Sequence, residues 1–494
     1  MNSIETKTFS IEEKEQIALQ MLKYFYLHDP RPFCVAYSGG KDSSVILYLT
    51  IKMLENLVSE GETLTKRVLI INSNTLAELP PVLKHLEESL KKIDHYSKQY
   101  DLPVEVREVT PEEKNTLNVQ LLGVGMPPPS NQLRWCTDKL KVFPIDKEIN
   151  ATFPDGKFIS IIGTRRDESF SREARIEKAS LSGTNLKLNN RYKNASNLMP
   201  IELWSTKDVW EYLFKQTDKL LNIDFLWKIY SDASGKDTKE CTFVGAGGKH
   251  IEEGKIGCGV SRFGCWQCYM VRDKDKSLDG LMQSGYENID LYKEYRDWYW
   301  DLTQKGWEKT RDPYSHRHQG RDLYNKGEKT SPKYGMTMPK GLTLKIRKES
   351  FSRLLDLQSK LNETIITDNE IILIQERWLL EGDLTLTAFR IAKKYGYKFN
   401  SFSLSQEQRK AIKEAKQFYK EKLNKKEIKK EFSISTLKRF AIQNIVNPNK
   451  IEKKFFPSKK EETHILKEWK KQKKIKTNND FLNLMDLVSF YNTL

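Results

Sequence analysis

The chain has 494 residues and a formal net charge of +16; 38% of its residues are hydrophobic and 30% charged. That length exceeds one core and points to about three domains, while the apolar and aromatic content excludes a disordered chain and six cysteines do not make a secreted disulfide framework. No apolar N-terminal segment resembles a signal peptide and no run of ~18 apolar residues exists to span a bilayer, so a cytoplasmic protein with no membrane partner is expected.

In chain order, Ile11 to Leu27 carries apolar residues at three-to-four spacing and is predicted helical. "FCVAY" follows as a short buried strand, then the turn "SGGKDSS", then a helix through "VILYLTIKMLENL". "RVLIIN" is a second strand, followed by a long helix from about Leu79 to Tyr100. "VEVREV" is a third strand and Phe158 to Gly163 a fourth. Strand, glycine turn and helix recur, so the core is expected to be a doubly wound, mainly parallel α/β sheet. From about Ser231 to Gly259 the pattern dissolves into glycine-rich sequence, and the aromatic, arginine-rich "YRDWYWDLTQKGWEKTRDPY" comes next. From about Leu342 the chain reads as helices, among them "RKESFSRLLDLQSKL", "EIILIQERWLL" and the terminal "FLNLMDLVSFYNTL". The expected divisions are 1–230 for the α/β domain, 231–340 for the cysteine and aromatic module, and 341–494 for a helical, Lys-rich domain.

Charge is unevenly placed. Ile391 to Leu494 holds 26 Lys and Arg against 11 Asp and Glu, nearly all of the chain's excess. Asymmetry of that kind points to a polyanionic partner, most often nucleic acid, against the plainer reading of a solvated lysine-rich surface. The tracts "KLNKKEIKK" and "KEWKKQKKIK" suit phosphate contacts that carry no base information. Trp298, Trp300 and Trp307 could stack on unpaired bases, although packing is the commoner use of such residues. His316 and His318 in "YSHRHQGRD" lack companions at metal-ligand spacing.

"AYSGGKDSS" (Ala36 to Ser44) is the strongest signal. A buried strand ends, two glycines let the backbone turn, and a helix begins at about Ser43. Exposed N–H groups and the positive helix end make that a phosphate cradle. It is not a Walker A loop, because Lys41 is followed by Asp42 and the G-x-x-x-x-G spacing is missing. The segment resembles the PP-loop of ATP pyrophosphatases, which split ATP between its α and β phosphates. The resemblance implies that Ser38, Gly39, Gly40 and Ser43 hold the pyrophosphate, with Lys41 and Asp42 in the reaction and Asp42 assisting Mg²⁺.

Three further stretches resemble the phosphoadenylylsulfate (PAPS) reductase-like branch of that superfamily. "GTRRDES" (Gly163 to Ser169) fits its G-x-R-x-x-E-S pattern, placing Gly163, Arg165 and Glu168 at the nucleotide, where a planar guanidinium suits phosphate or sulfate oxygens and Arg165 is expected to be catalytic by stabilising charge. "RWCTDKLK" (Arg134 to Lys141) adds Arg134 beside Cys136. "PIELWSTKDVWEYL" (Pro200 to Leu213) opens a helix with Ser205 as cap, Asp208 in the first turn, and Val209, Trp210 and Leu213 packing. After the second strand the branch carries Asp-Thr near the adenosine; here Asn74-Thr75 stands, which keeps an acceptor and loses the charge.

Cys241, Cys258, Cys265 and Cys268 give C-x16-C-x6-C-x2-C in glycine-rich sequence, which favours a metal over disulfides. Spacing leaves zinc, an iron–sulfur cluster and a Cys265/Cys268 redox dithiol open. Cys34, inside the first strand, reads as core.

All these motifs, in this order in a chain of about 500 residues, closely resemble the DndC family of bacterial DNA phosphorothioation. That resemblance spans roughly residues 15 to 280 and, more loosely, the helical remainder. It implies ATP, Mg²⁺ and a [4Fe-4S] cluster on Cys241, Cys258, Cys265 and Cys268, with Cys136 the rival fourth ligand or a sulfur carrier. It also implies DNA, a cysteine desulfurase and other phosphorothioation proteins as partners. The expected activity is cleavage of ATP to AMP and pyrophosphate, activating replacement of a non-bridging DNA oxygen by sulfur. A sulfonucleotide reductase, a tRNA thiolation enzyme and a nucleotide-sensing DNA-binding regulatory or restriction component are the alternatives.

Overall fold

The computed structural model describes residues 9–130, 133–168, 176–179, 184–216, 220–234, 265–270, 275–304, 310–312, 341–381, 383–400, 403–410 and 412–414. These fall into two compact units, one of residues 1–112 and 134–290, the other of residues 113–133 and 291–494.

The first unit opens with α1 (Ile11–His28), which begins at a capping box. The Ser10 hydroxyl accepts from the Glu13 N–H while the Glu13 carboxylate accepts from the Ser10 N–H. Buried Ile11, Ala18, Leu19, Leu22, Phe25 and Tyr26 form its inner stripe. There follow β1 (Phe33–Ala36), α2 (Lys41–Ser59), β2 (Val68–Ser73), α3 (Pro80–Gln99), β3 (Val104–Val109), α4 (Phe143–Thr152), β4 (Ile159–Ile161), β5 (Leu186–Leu188) and β6 (Ser196–Leu198). Helices α5 (Thr206–Phe214), α6 (Ile223–Ser234) and α7 (Lys276–Gln283) complete it.

Sheet order is β3-β2-β1-β4-β6-β5, parallel throughout except that β5 runs antiparallel on the edge. Phe33 pairs with Val68 on one side and with Ile159 on the other, so β1 is central. Its continuous apolar run follows from being covered on both faces. Val35, Val68 and Ile70 join the core that contains residues of α1, α2, α3, α5 and α6. Cys34, Leu69 and Ile71 join another core, with Ile149 of α4, Phe153, Phe158 and Ala195. Cys34 is therefore core, as expected, and burial pushes its thiol up to about 12. The four predicted strands are present. The β5–β6 pair was not predicted, because three-residue segments such as "LKL" and "SNL" carry too little pattern.

The second unit combines residues 113–133, α8 (Ile289–Gln304, which starts at the boundary), a two-residue pair of strands β7 (Arg311–Asp312) and β8 (Gly341–Leu342), α9 (Leu344–Leu361), α10 (Asp368–Leu380) and α11 (Thr387–Lys393). A π-helical turn at Val119–Val124 supplies carbonyls to the helices: the Leu122 oxygen accepts from Trp378 Nε1 (2.7 Å) and the Gly123 oxygen from Arg347 Nη1 (2.7 Å). A Cβ on Gly123 would meet Ile374 Cγ1 at 3.3 Å, so this turn packs closely on α10. Arg347 is fully buried, and the Glu381 carboxylate pairs with it. Among the described residues, no helix is long and apolar enough to cross a membrane.

Candidate nucleotide and cysteine site

Because β1 lies between β2 and β4, the ends of these strands bound the switch point of the sheet, where open α/β folds take ligands. The loop leaving β1 is built to expose backbone. Gly39 takes φ +72°, a left-handed conformation that favours glycine. Gly40 caps α2 without any side-chain hydrogen bond, so the first-turn N–H groups of that helix are left for an anion. A Cβ on Gly40 would meet the Tyr230 hydroxyl at 3.2 Å, which places α6 against the loop.

Ser43 ties the turn internally: its hydroxyl accepts from the Ser38 N–H (3.2 Å) and donates to the Gly40 carbonyl (2.9 Å), and it lies 3.1 Å from the Ser38 hydroxyl. Its oxygen is thus engaged in shaping the cradle. Lys41 Nζ pairs with Asp42 Oδ2 at 2.7 Å and stands 5.7 Å from the centre of the Tyr230 ring. Burial raises the Tyr230 phenol above its ordinary value, and the Asp42 charge adds to the effect.

Arg165 is 1% exposed. Its Nε donates to Asp42 Oδ1 (2.7 Å), Nη1 to the Trp204 carbonyl (3.2 Å) and Asp167 (3.4 Å), and Nη2 to Thr206 Oγ1 (3.3 Å). A charge buried this deeply must be paired, and Asp42 pairs it. Gly163 makes the approach possible: a Cβ there would lie 2.8 Å from the Asp42 carbonyl oxygen. The structure therefore brings Ser38, Gly39, Gly40, Lys41, Asp42, Ser43, Gly163 and Arg165 together. With a cation on each oxygen, Asp42 offers no open acidic position for Mg²⁺, and no step below is routed through that ion. Glu168 ends a short 3₁₀ turn (Arg166–Glu168), and Arg134 is exposed ahead of a helical turn at Trp135–Thr137.

Beyond β2, Asn74 is folded into its own turn. Its Oδ1 accepts from the Leu76 N–H (2.9 Å), and its amide reaches Glu108 Oε1 at 3.4 Å. Burial raises the Glu108 carboxyl, with the Asn74 bond opposing and the Glu87 and Glu78 charges adding. Glu78 organises the same turn by accepting from the N–H groups of Thr75 and Ala77 and from Thr75 Oγ1 (2.6 Å).

The C-x-x-C segment docks on that turn. Trp266 N–H donates to the Ala77 carbonyl (2.9 Å), Cys265 forms an antiparallel bridge with Glu78, and Cys265 Sγ lies 3.3 Å from Thr75 Oγ1. Burial pushes the Cys265 thiol up to about 12, with Glu78 adding. Burial also raises the Cys136 thiol, and the charge of Cys268 adds to the effect. Cys241 and Cys258 lie outside the described residues, as do His316, His318, Trp307 and both lysine tracts. Among the described residues no three His, Cys, Asp or Glu side chains are placed to hold a metal ion. The described thiols thus do not complete a cluster, and no step is derived through one. Trp298 lies in α8, half-buried, with the Arg353 guanidinium 4.2 Å from its ring centre.

Tyr230 and Glu78 were not foreseen from sequence. The tyrosine lies 190 residues beyond the loop it meets, and no local spacing signals it. The "x-T-x-x-E" pattern at Thr75 and Glu78 did carry a signal, that of a capping box.

Residues 32–269 match the family model of the phosphoadenosine phosphosulfate reductase domain. Two uncharacterized proteins of Methanocaldococcus jannaschii are 30% and 26% identical over 209 and 208 residues, which is 42% and 41% of this chain. The chain spans only 36% and 42% of the length of these relatives. Among solved structures, the U34-tRNA thiolase NcsA of Methanococcus maripaludis with its [4Fe-4S] cluster is 16% identical over 44% of this chain and 70% of that one, with a TM-score of 0.28. A PAPS reductase of Candida auris is 12% identical over 42% and 88%, at 0.25. An FMN adenylyltransferase of Candida glabrata with FMN and an ATP analogue is 15% identical over 44% and 61%, at 0.27. Likeness at these scores carries no functional argument. In sheet order, glycine loop and family match, residues 32–269 are similar to the phosphoadenosine phosphosulfate reductase domain.

Proposed function

We propose that the chain is an ATP pyrophosphatase that cleaves ATP to AMP and pyrophosphate and so activates a phosphodiester of DNA for sulfur insertion. The observation that carries the nucleotide half is the uncapped α2 N-terminus behind Gly39 and Gly40, with Lys41 held beside it by Asp42. Phosphate oxygens would sit on the free N–H groups, with Lys41 supplying mobile positive charge and Mg²⁺ arriving on the nucleotide itself. Arg165 acts as a positioning residue, holding Asp42 from beneath. An acceptor oxygen attacks the α-phosphorus, the α–β bond breaks, and pyrophosphate leaves with the electron pair. A sulfur nucleophile then displaces AMP, which carries away the original acceptor oxygen. In this reading a cysteine desulfurase supplies the sulfur as a persulfide, an external thiol reduces it to sulfide, and other phosphorothioation proteins select the site; Cys241, Cys258, Cys265 and Cys268 would hold an iron–sulfur cluster, with Cys136 the rival of Cys241.

The match of residues 32–269 to the PAPS reductase domain favours a second reading, reduction of a sulfonucleotide. Pyrophosphate release from Mg-ATP, compared between the native chain and Asp42→Ala, tests the first. The proposal expects release to fall at least a hundredfold in the variant while the native fold persists. Undiminished release in that variant, or sulfite production from PAPS by a native chain that leaves ATP intact, sinks it.

A further inference from the structure

The helix α11 and the turn that ends it present a cationic face that no acidic group among the described residues neutralises. Arg390, Lys393 and Lys394 are spaced three and four apart and share one side of the helix, while Ala388, Phe389 and Ala392 are buried on the other. The helix ends in a Schellman arrangement: Gly396 takes φ +89°, its N–H reaches the Lys393 carbonyl, and the Tyr397 N–H reaches the Ala392 carbonyl. Tyr397 stacks on Phe399 (5.5 Å, 12°), Phe399 stacks on Phe389 (5.2 Å, 21°), and Gln358 Nε2 donates to the Tyr397 hydroxyl (2.5 Å). The turn carrying Lys398 is therefore anchored to the helices and is not a loose tail. Arg390, Lys393, Lys394 and Lys398 are all exposed or half-buried at the surface, and among the described residues none of the four has an ion-pair partner.

A helix C-terminus welcomes cations, which accounts for Arg390 and Lys393. It does not account for the continuation to Lys394 and Lys398 without one intervening carboxylate. Four cations on one packed module, unpaired among the described residues, favour an anion of matching extent. This face also stands at the start of the segment from Ile391 to Leu494, where 26 Lys and Arg meet 11 Asp and Glu. We infer that the Arg390–Lys398 face docks the phosphodiester backbone of a nucleic acid through phosphate contacts, without reading bases. A point phosphate or free nucleotide would engage one or two of these side chains; a repeating polyanion engages all four.

The test uses the full-length protein, fluorescent duplex DNA of mixed sequence and a transfer RNA transcript, with anisotropy read across a salt series. The charge-removed chain carries Arg390→Gln, Lys393→Gln, Lys394→Gln and Lys398→Gln. A control carries Lys84→Gln, Lys91→Gln, Lys92→Gln and Lys193→Gln, which removes the same charge from exposed positions of the other unit. The inference expects more than a tenfold loss of affinity for the face variant at low salt. It also expects the slope of log affinity against log salt to shallow by about 3.6, since each of the four duplex phosphates no longer neutralised removes about 0.9 from it. Weaker binding to duplex assigns DNA as the source of the phosphodiester; weaker binding confined to the transcript assigns RNA. Equal binding by the face variant and the native chain, or an equal weakening in the control, overturns the inference. Pyrophosphate release without nucleic acid, with water as the acceptor, is measured in parallel and is expected to be unchanged in the face variant, so failure here is distinguishable from failure of the nucleotide chemistry.

Discussion

Asp42 carries more of the site than its place in the loop suggests, because it neutralises Lys41 and the buried Arg165 together. Removing the carboxylate leaves a guanidinium buried without its anion, which costs about 3–5 kcal/mol of stability. Asp42→Asn keeps the shape and some hydrogen bonding, and comparing it with Asp42→Ala by thermal unfolding separates charge from volume. Gly163→Ala drives a Cβ into backbone at 2.8 Å and is expected to lower ATP turnover at least tenfold, since the first turn of α2 must shift. Gly40→Ala meets only a hydroxyl at 3.2 Å. Its defect should be partly rescued by Tyr230→Phe, and absence of rescue in steady-state turnover would refute the Tyr230 contact.

At the level of elements, α5 is fixed by a capping box in which Ser205 accepts from Asp208 N–H and Asp208 accepts from Ser205 N–H. Ser205→Ala should cost about 1 kcal/mol, read as a lower unfolding midpoint. Asp208 also pairs with Lys14 of α1 at 2.6 Å. Burial would raise its carboxyl, but the bonds from Lys14 and Ser205 outweigh burial and lower it. Stability from this group is therefore present above the ordinary carboxylate value of about 4 and is lost as pH falls through the lower folded value. A denaturant series between pH 2 and pH 6 should show Asp208→Asn losing part of that acid dependence.

For the whole molecule, the sequence was most legible where one short segment contains its own cause. The Gly39-Gly40 loop, the apolar runs of β1 and β2, and the Ser205 cap each carry a local signal, and each is present. Contacts between distant segments were not legible. Arg165 meets Asp42 across 123 residues, and residues 113–133 join the helices of the second unit through carbonyls no pattern reveals. The cysteines fall between these cases: Cys265 and Cys268 sit on one turn as their spacing suggests, whereas Cys136 lies 132 residues before Cys268 and no local pattern links the two. The central claim is that this cradle splits ATP at one bond. Incubating the full chain with Mg²⁺ and ATP labelled at the α-phosphate, then separating the products, tests it directly. The account predicts labelled AMP and an equal yield of pyrophosphate, both abolished by Asp42→Ala. Labelled ADP with orthophosphate, or ATP recovered intact in the presence of duplex DNA, would contradict it.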